Sequence, residues 1–270
     1  MPLRLLSTPP LDGATNMALD EALLARARRT GEIVVRVYRW TRPTLSLGRH
    51  QAARGVYDAA RAAAHGIDVV RRPTGGRAVL HWREVTYSVT APSAALSPAG
   101  ASPRAAYARI NSMLADALSA LGVAAAPAIA HGRARRPDGV PCFEAPAAGE
   151  LVAGADARKL VGSAQWRECG ALLQHGSILI DDDQGLLACC ARGPIPPFAP
   201  PATLHALLGR APATDEVAVA VLDAARRLAE SLDLPVVAID PDALADDPAL
   251  RAEVARLLPR YTESTWTWRR

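Results

Sequence analysis

At 270 residues, half of them hydrophobic and 21% charged, the chain is far too apolar for disorder and long enough to bury a large core. The net charge of +4 invites a nucleic-acid reading, but aromatics make up only 4% and the arginines are scattered, which argues against one. No apolar stretch follows a positive start at the N-terminus, and no run reaches about 18 apolar residues, so neither export nor a membrane span is expected.

The first periodic segment, ATNMALDEALLARARRTG, predicts a helix capped by Thr15 or Asn16, acidic at its start, basic at its end and stopped near Gly31. EIVVRVYRW and TLSLG follow as two strands, then VYDAARAAAHG as a helix closed by Gly66. IDVVRR is a strand running into the glycine-rich PTGGRA, a further strand starts at the end of RRPTGGRAVLH, and EVTYSVTA alternates as another. SPRAAYARINSMLADALSALG places Tyr107, Ile110, Leu114, Leu118 and Leu121 at helical spacing, with Ser102 as cap and Gly122 as stop. From 149 to 181 the pattern is a meander of three strands with turns near Gly154 and Gly170. A short helix, a proline-rich loop (194–201) and helices near 214–232 and 241–257 complete the chain. Strands and helices interspersed without repeat or long linker predict a single α+β (mixed α/β) domain over 1–270, with a helical C-terminal extension from about 213.

One stretch departs from the rest in chemistry. Of 31 basic residues 30 are arginine, and the single lysine, Lys159, stands in GADARKLVGSAQWR. An ammonium is a compact point charge whose protonation can shift, whereas a guanidinium is neither. On the Lys159 strand Val161, Ser163 and Gln165 share its face, while Gly162 and Ala164 thin out the other.

Upstream, RRPTGGRAVLH sets Arg71, Arg72, Thr74, Gly75, Gly76, Arg77 and His81 around a bend where backbone amides can approach a ligand. It is not a phosphate-binding GxxxxGK[ST] loop. In LLQHGSILID, His175 and Gly176 interrupt an apolar strand, which suggests close backbone or ligand approach. The residues alone leave each segment two readings: a glycine turn or a ligand loop, a core histidine or a functional one. Cys142 likewise reads as a small buried side chain or a nucleophile. With Cys169, Cys189 and Cys190 it makes four cysteines with no CxxC pair, which fits a reducing cytoplasm and no metal site.

NMALDEALL, SLGRHQ, RRPTGGRAVLH, RKLVGSAQ and LLQHGSILID, in this order, resemble the biotin/lipoate A/B protein ligase family, and the resemblance spans residues 12–183. It implies a central mixed, largely antiparallel sheet flanked by helices. It further implies a narrow acyl tunnel lined by the glycine-rich and lysine motifs, with Lys159 at the acyl carbonyl and Gly162, Ser163, Ala164, His175 and Gly176 beside it. VPCFEAPAAGE is similar to the segment that carries the acyl thioester in the cysteine-dependent octanoyltransferases of that family, which makes Cys142 the expected nucleophile. Arg77 after Gly75-Gly76 fits this branch, since the ligases have a third glycine there. Trp82 after His81 departs from an aspartate common in the family, and APAAGE departs from its polar and aromatic residues.

The implied activity is octanoyl transfer from acyl carrier protein to the lysine of a lipoyl-domain protein, such as the glycine-cleavage H protein, by a cytoplasmic monomer without cofactor. An ATP-dependent lipoate ligase, a lipoyl amidotransferase and a non-catalytic acyl-binding protein stand as alternatives. Lys159 could favour the Cys142 thiolate or orient the carbonyl, and the sequence leaves both open.

Overall fold

The alternating β-branched segments form most of an eight-stranded sheet. In chain order its strands are β1 (Leu3–Ser7), β2 (Ile33–Tyr38), β6 (Glu84–Pro92), β7 (Ala125–Pro127), β8 (Leu151–Ala153), β9 (Arg158–Glu168), β10 (Ala171–Leu179) and β11 (Val236–Ile239). β3 (Thr44–Leu47), β4 (Asp68–Arg71) and β5 (Val79–His81) form a separate three-stranded sheet in the order β4-β3-β5. This computed structural model describes residues 1–97, 103–129, 142–144, 146–239 and 247–269. The arginine-rich stretch 131–139, the expected Ser102 cap and the start of the expected 241–257 helix lie outside the described residues.

The large sheet runs β11-β1-β2-β6-β10-β9-β8-β7, parallel only where β1 meets β2 and β11 and antiparallel elsewhere. β2 is buried on both faces. On one face, helices α3 (Pro103–Ala120) and α4 (Thr214–Ser231) cover a core that includes Ile33, Val35, Val89, Ile110, Leu114 and Val221. On the other lie α1 (Gly13–Thr30) and α5 (Pro248–Thr262), packed around Met17, Leu23, Val34, Trp40, Leu250 and Tyr261. The small sheet and α2 (Ala59–Ala64) enclose a third cluster that includes Leu45, Leu47, Ile67 and Leu80.

Most expected elements are present, with corrections at their ends. The cap of α1 is Asp12, whose carboxylate accepts from the Thr15 amide at 3.0 Å, and not Thr15 or Asn16. No acid stands in the first turn, because the LDEALL acids fall a turn later, where Asp20 is fully buried. Gly31 closes the helix at φ 76°, a left-handed conformation natural to glycine. Strand β1, the edge strands β7 and β11 and the short helix Leu204–Leu208 carry no strong sequence signal and were not expected. Among the described residues no helix is long and apolar enough to cross a membrane.

Candidate active site

The two halves of the site come from different sheets. β4 delivers Arg71 and Arg72 into the 72–78 bend, which returns as β5, while the β8-β9-β10 meander supplies Lys159, Ser163 and His175. Gly48 lets the two loops of the small sheet touch, since a Cβ there would sit 1.9 Å from the Gly76 carbonyl oxygen. The Arg49 amide, next in the chain, donates to the Thr74 carbonyl at 2.8 Å. Gly76 holds φ 96°, so the second glycine of the pair is required by the backbone.

Cys142 opens a short 3-10 turn with Phe143 and Glu144, its amide bonded to the Ala78 carbonyl at 2.9 Å. The residue is partly exposed. Lys159, only 2% exposed, reaches across from β9: its Nζ lies 3.2 Å from Cys142 Sγ and 3.0 Å from the Cys142 carbonyl oxygen. It is also 2.8 Å from each carboxylate oxygen of the buried Glu150. Leu160 falls between the pairs Leu151–Val161 and Val152–Lys159, a register shift beside the lysine. Such shifts re-aim side chains at a sheet rim. Gly162 makes room: a Cβ there would stand 2.9 Å from the Phe143 ring and 3.1 Å from Lys159 Cε. The forked head of an arginine would need space that Phe143 already fills.

The arginines of the bend divide. Arg72 is buried and spends its guanidinium on the Ser46, Gly75 and Arg77 carbonyls and on Ser46 Oγ. Burial draws its pKa below the usual arginine value, and the neighbouring Cys142 opposes that shift. Arg77 donates to the Cys142 carbonyl at 3.3 Å. Arg71 turns away from the thiol, donating to the Gly48 and Gln51 carbonyls and, across the C-terminal segment, to that of Thr267. The Trp266 indole returns a bond to the Arg71 carbonyl at 2.9 Å.

Behind the bend, His175 bonds Thr74 Oγ1 through Nε2 at 2.7 Å and Asp20 through Nδ1 at 2.9 Å. Burial pushes His175 below the usual histidine range against the pull of Asp20, so the ring is neutral, donates from Nδ1 and accepts the Thr74 hydroxyl. Asp20 is held below the usual carboxylate value although burial opposes this, because His175, Arg36 and Ser88 all stabilise its charge. His81 forms a parallel unit: Nε2 meets Ser46 Oγ, Nδ1 meets Glu84, and the ring stacks on Trp40 with centroids 4.2 Å apart. Through Ser46 it reaches Arg72.

Thus Cys142, Lys159, Gly162, Arg72 and Arg77 come together, with Thr74, Gly75, Gly76, His81 and His175 as the frame behind them. Ser163 bonds the Tyr87 hydroxyl at 2.7 Å, and Ala164 and Gly176 sit in the β9–β10 ladder. Gly176 serves that ladder, since a Cβ would lie 2.2 Å from the Gly162 carbonyl oxygen. Glu150, Asp20 and Phe143 carry the site but were not singled out from the sequence. Glu150 stands at the end of APAAGE, one residue before β8, and a lone acid leading into a strand gives no signal. Cys169 is exposed in a hairpin turn, and Cys189 and Cys190 lie in a short helix. Among the described residues no cluster of histidine, cysteine and carboxylate could hold a metal ion.

Residues 12–226 match the family model of the lipoyl protein ligase A/B catalytic domain. The protein named Octanoyltransferase LipM of Kyrpidia tusciae is 44% identical over 71% of this chain and 70% of its own length. That of Carboxydothermus hydrogenoformans is 45% identical over 63% of this chain and 62% of its own. The fold follows a bipartite lipoate protein ligase of Thermoplasma acidophilum, with a TM-score of 0.75 and 21% identity, covering 99% of this chain and 96% of that one.

Proposed function

This chain belongs to the lipoyl protein ligase A/B catalytic domain family, and we propose that it carries octanoate from acyl carrier protein to the lysine of a lipoyl-domain protein through a thioester on Cys142. It is an acyltransferase, and octanoyl transfer is the activity for which relatives 44 and 45% identical to it are named. A lipoyl-domain protein is the acceptor. The donor, the thioester and the residue roles are our reading, supported above all by the 3.2 Å approach of Lys159 Nζ to Sγ of the partly exposed Cys142.

In the first half-reaction the Cys142 sulfur attacks the carbonyl of the donor thioester. Its bond to the acyl carbon forms, the bond from that carbon to the donor sulfur breaks, and the donor thiol leaves with the proton given up by Cys142. In the second, the acceptor amine attacks the enzyme thioester, the Cys142–acyl bond breaks, and the proton lost by nitrogen returns to the Cys142 sulfur. Lys159 stabilises the oxyanion in each step, where a preorganised donor is worth about 100- to 1000-fold in rate. Arg77 and the Ala78 carbonyl hold the cysteine backbone in place for both. The protein works as a single catalytic domain and a monomer, in a cytoplasm that keeps the thiol reduced.

Intact-mass analysis after mixing with octanoyl acyl carrier protein alone tests this. An octanoyl adduct released by hydroxylamine, mapped to Cys142 and absent from Cys142→Ala, is the expected result. Activity appearing only with ATP and free lipoate would replace the transferase by a ligase. An adduct on Cys169, Cys189 or Cys190 would leave the activity standing and remove Cys142 from it.

A further inference from the structure

Glu150 has no part in the two half-reactions, yet few groups in the site are better anchored. Its carboxylate is buried, and besides Lys159 it accepts the Ala147 amide at 2.7 Å. Its own amide donates to the Ala147 carbonyl at 3.1 Å, closing the turn from both ends. Asn111 donates to the Gly149 carbonyl at 2.6 Å, and the Ala128 amide to the Glu150 carbonyl at 2.7 Å. The carboxylate therefore stands on a turn pinned to α3 and to the β7 edge.

An ammonium has three N–H bonds, and Lys159 has three acceptor groups: the Glu150 carboxylate, the Cys142 carbonyl and the Cys142 sulfur. A lysine this deeply buried would be costly without a counter-charge. Among the described residues, the other charged or titratable groups beside Cys142 are Arg72 and Arg77 from the bend and Tyr107 from α3. Tyr107 is neutral, raised to about 12 by burial and then by the charge of Glu150. Glu150 is thus the one negative charge among these groups, placed directly behind the ammonium that touches the sulfur.

We infer that Glu150 is the positioning residue of this site: it aims the Lys159 ammonium at Cys142 and opposes its charge, so that the thiol is seated but restrained until an acyl donor arrives. The inference rests on the reading of Cys142 as the acyl carrier. It separates two effects, one of charge and one of reach, that a purely structural carboxylate would not separate.

The test compares Glu150→Gln, which removes the charge and keeps the shape, with Glu150→Asp, which keeps the charge and shortens the reach. The readouts are alkylation of Cys142 by iodoacetamide at one fixed neutral pH, followed on its peptide by mass spectrometry, and octanoyl transfer. A like charge close by disfavours the anionic form of a neighbour, an effect of about tenfold or more. Cys142 in Glu150→Gln is therefore expected to alkylate about tenfold faster, and in Glu150→Asp within about twofold of the parent. Transfer is expected to fall in both, by about 10- to 100-fold, because the ammonium is no longer held to position. Unchanged or slower alkylation in Glu150→Gln, equal acceleration in both variants, or parental transfer in either overturns the inference. If Glu150→Gln does not fold, Glu150→Asp decides alone, by parental alkylation with impaired transfer. A parent that forms no octanoyl adduct while Glu150→Gln still alkylates faster would leave Glu150 standing and remove the thioester. An adduct without that acceleration would do the reverse.

Discussion

Two buried charge clusters flank the glycine-rich bend, and they are built on opposite plans. Around Asp20 everything is internal and satisfied: Arg36, His175, Tyr38 and Ser88 all bond one carboxylate, and each of these five residues is at most 5% exposed. Around Lys159 the same kind of ion pair ends on the thiol of Cys142, a residue that is itself only partly buried. A sealed network fixes a shape, here the Thr74 end of the bend, because breaking any member leaves a buried charge alone. An open one leaves a reactive atom at its edge. The difference teaches that burial of charge is scaffold in one place and chemistry in the other, and that the last atom of the chain of contacts decides which.

The comparison breaks first at Asp20. Asp20→Asn strands the Arg36 guanidinium, and loss of one partner of a buried pair costs about 3–5 kcal/mol, to be read in urea unfolding. A loss under about 1 kcal/mol, the range of an exposed pair, would show that the cluster is not the scaffold described. Lys159→Arg should do less to the fold, costing about 1–3 kcal/mol for the larger head beside Phe143, while octanoyl transfer drops about 100-fold, since charge survives but the compact donor does not. Parental transfer in Lys159→Arg would mean that an ammonium is not required.

The glycine pair sharpens the boundary between them. Gly76 needs its positive φ, so any side chain there strains the backbone and says little about ligands. A Cβ at Gly75 meets nothing within 4 Å. Gly75→Ala is therefore expected to fold normally, and a raised KM for the acyl donor with little change in melting temperature would put the substrate against this amide. An unchanged KM would move the substrate elsewhere.

The smallest effect is in pH. The folded-state pKa of His175 lies below its ordinary 6.5, so as pH falls through 6.5 the unfolded chain takes up a proton that the native protein refuses, and stability declines. Asp20, held below 3.8, adds a second decline that begins only below that value. One such proton is worth at most about 1.4 kcal/mol per pH unit. His175→Gln should flatten the decline that starts near 6.5 in melting curves and shrink the acid limb, which Arg36 and Ser88 still sustain at Asp20.

Much of this was legible beforehand. Strict alternation and helical spacing announced β2, β6, β9, β10 and the long helices, and the lone lysine announced itself by composition. Strands β1 and β11 were not legible, because LRLLS and VVAI are too short to separate from a loop by pattern. Glu150 and Asp20 were missed for a different reason. A buried acid and a surface acid look alike in a sequence, and only the fold shows that one stands behind Lys159 and the other under His175. His81 shows the converse: the Trp82 that follows it obscured a histidine held between Ser46, Glu84 and Trp40.

The clasp between Arg71 and the C-terminal segment also bears on how the protein is made. The bonds from the Arg71 side chain to the Trp266 and Thr267 carbonyls span 195 and 196 residues. During synthesis the strand entering the glycine-rich bend leaves the ribosome long before those partners exist. A chain ended at residue 262, which keeps β11 and α5 and lacks both partners, is therefore expected to hold its sheets while the bend lies open to protease.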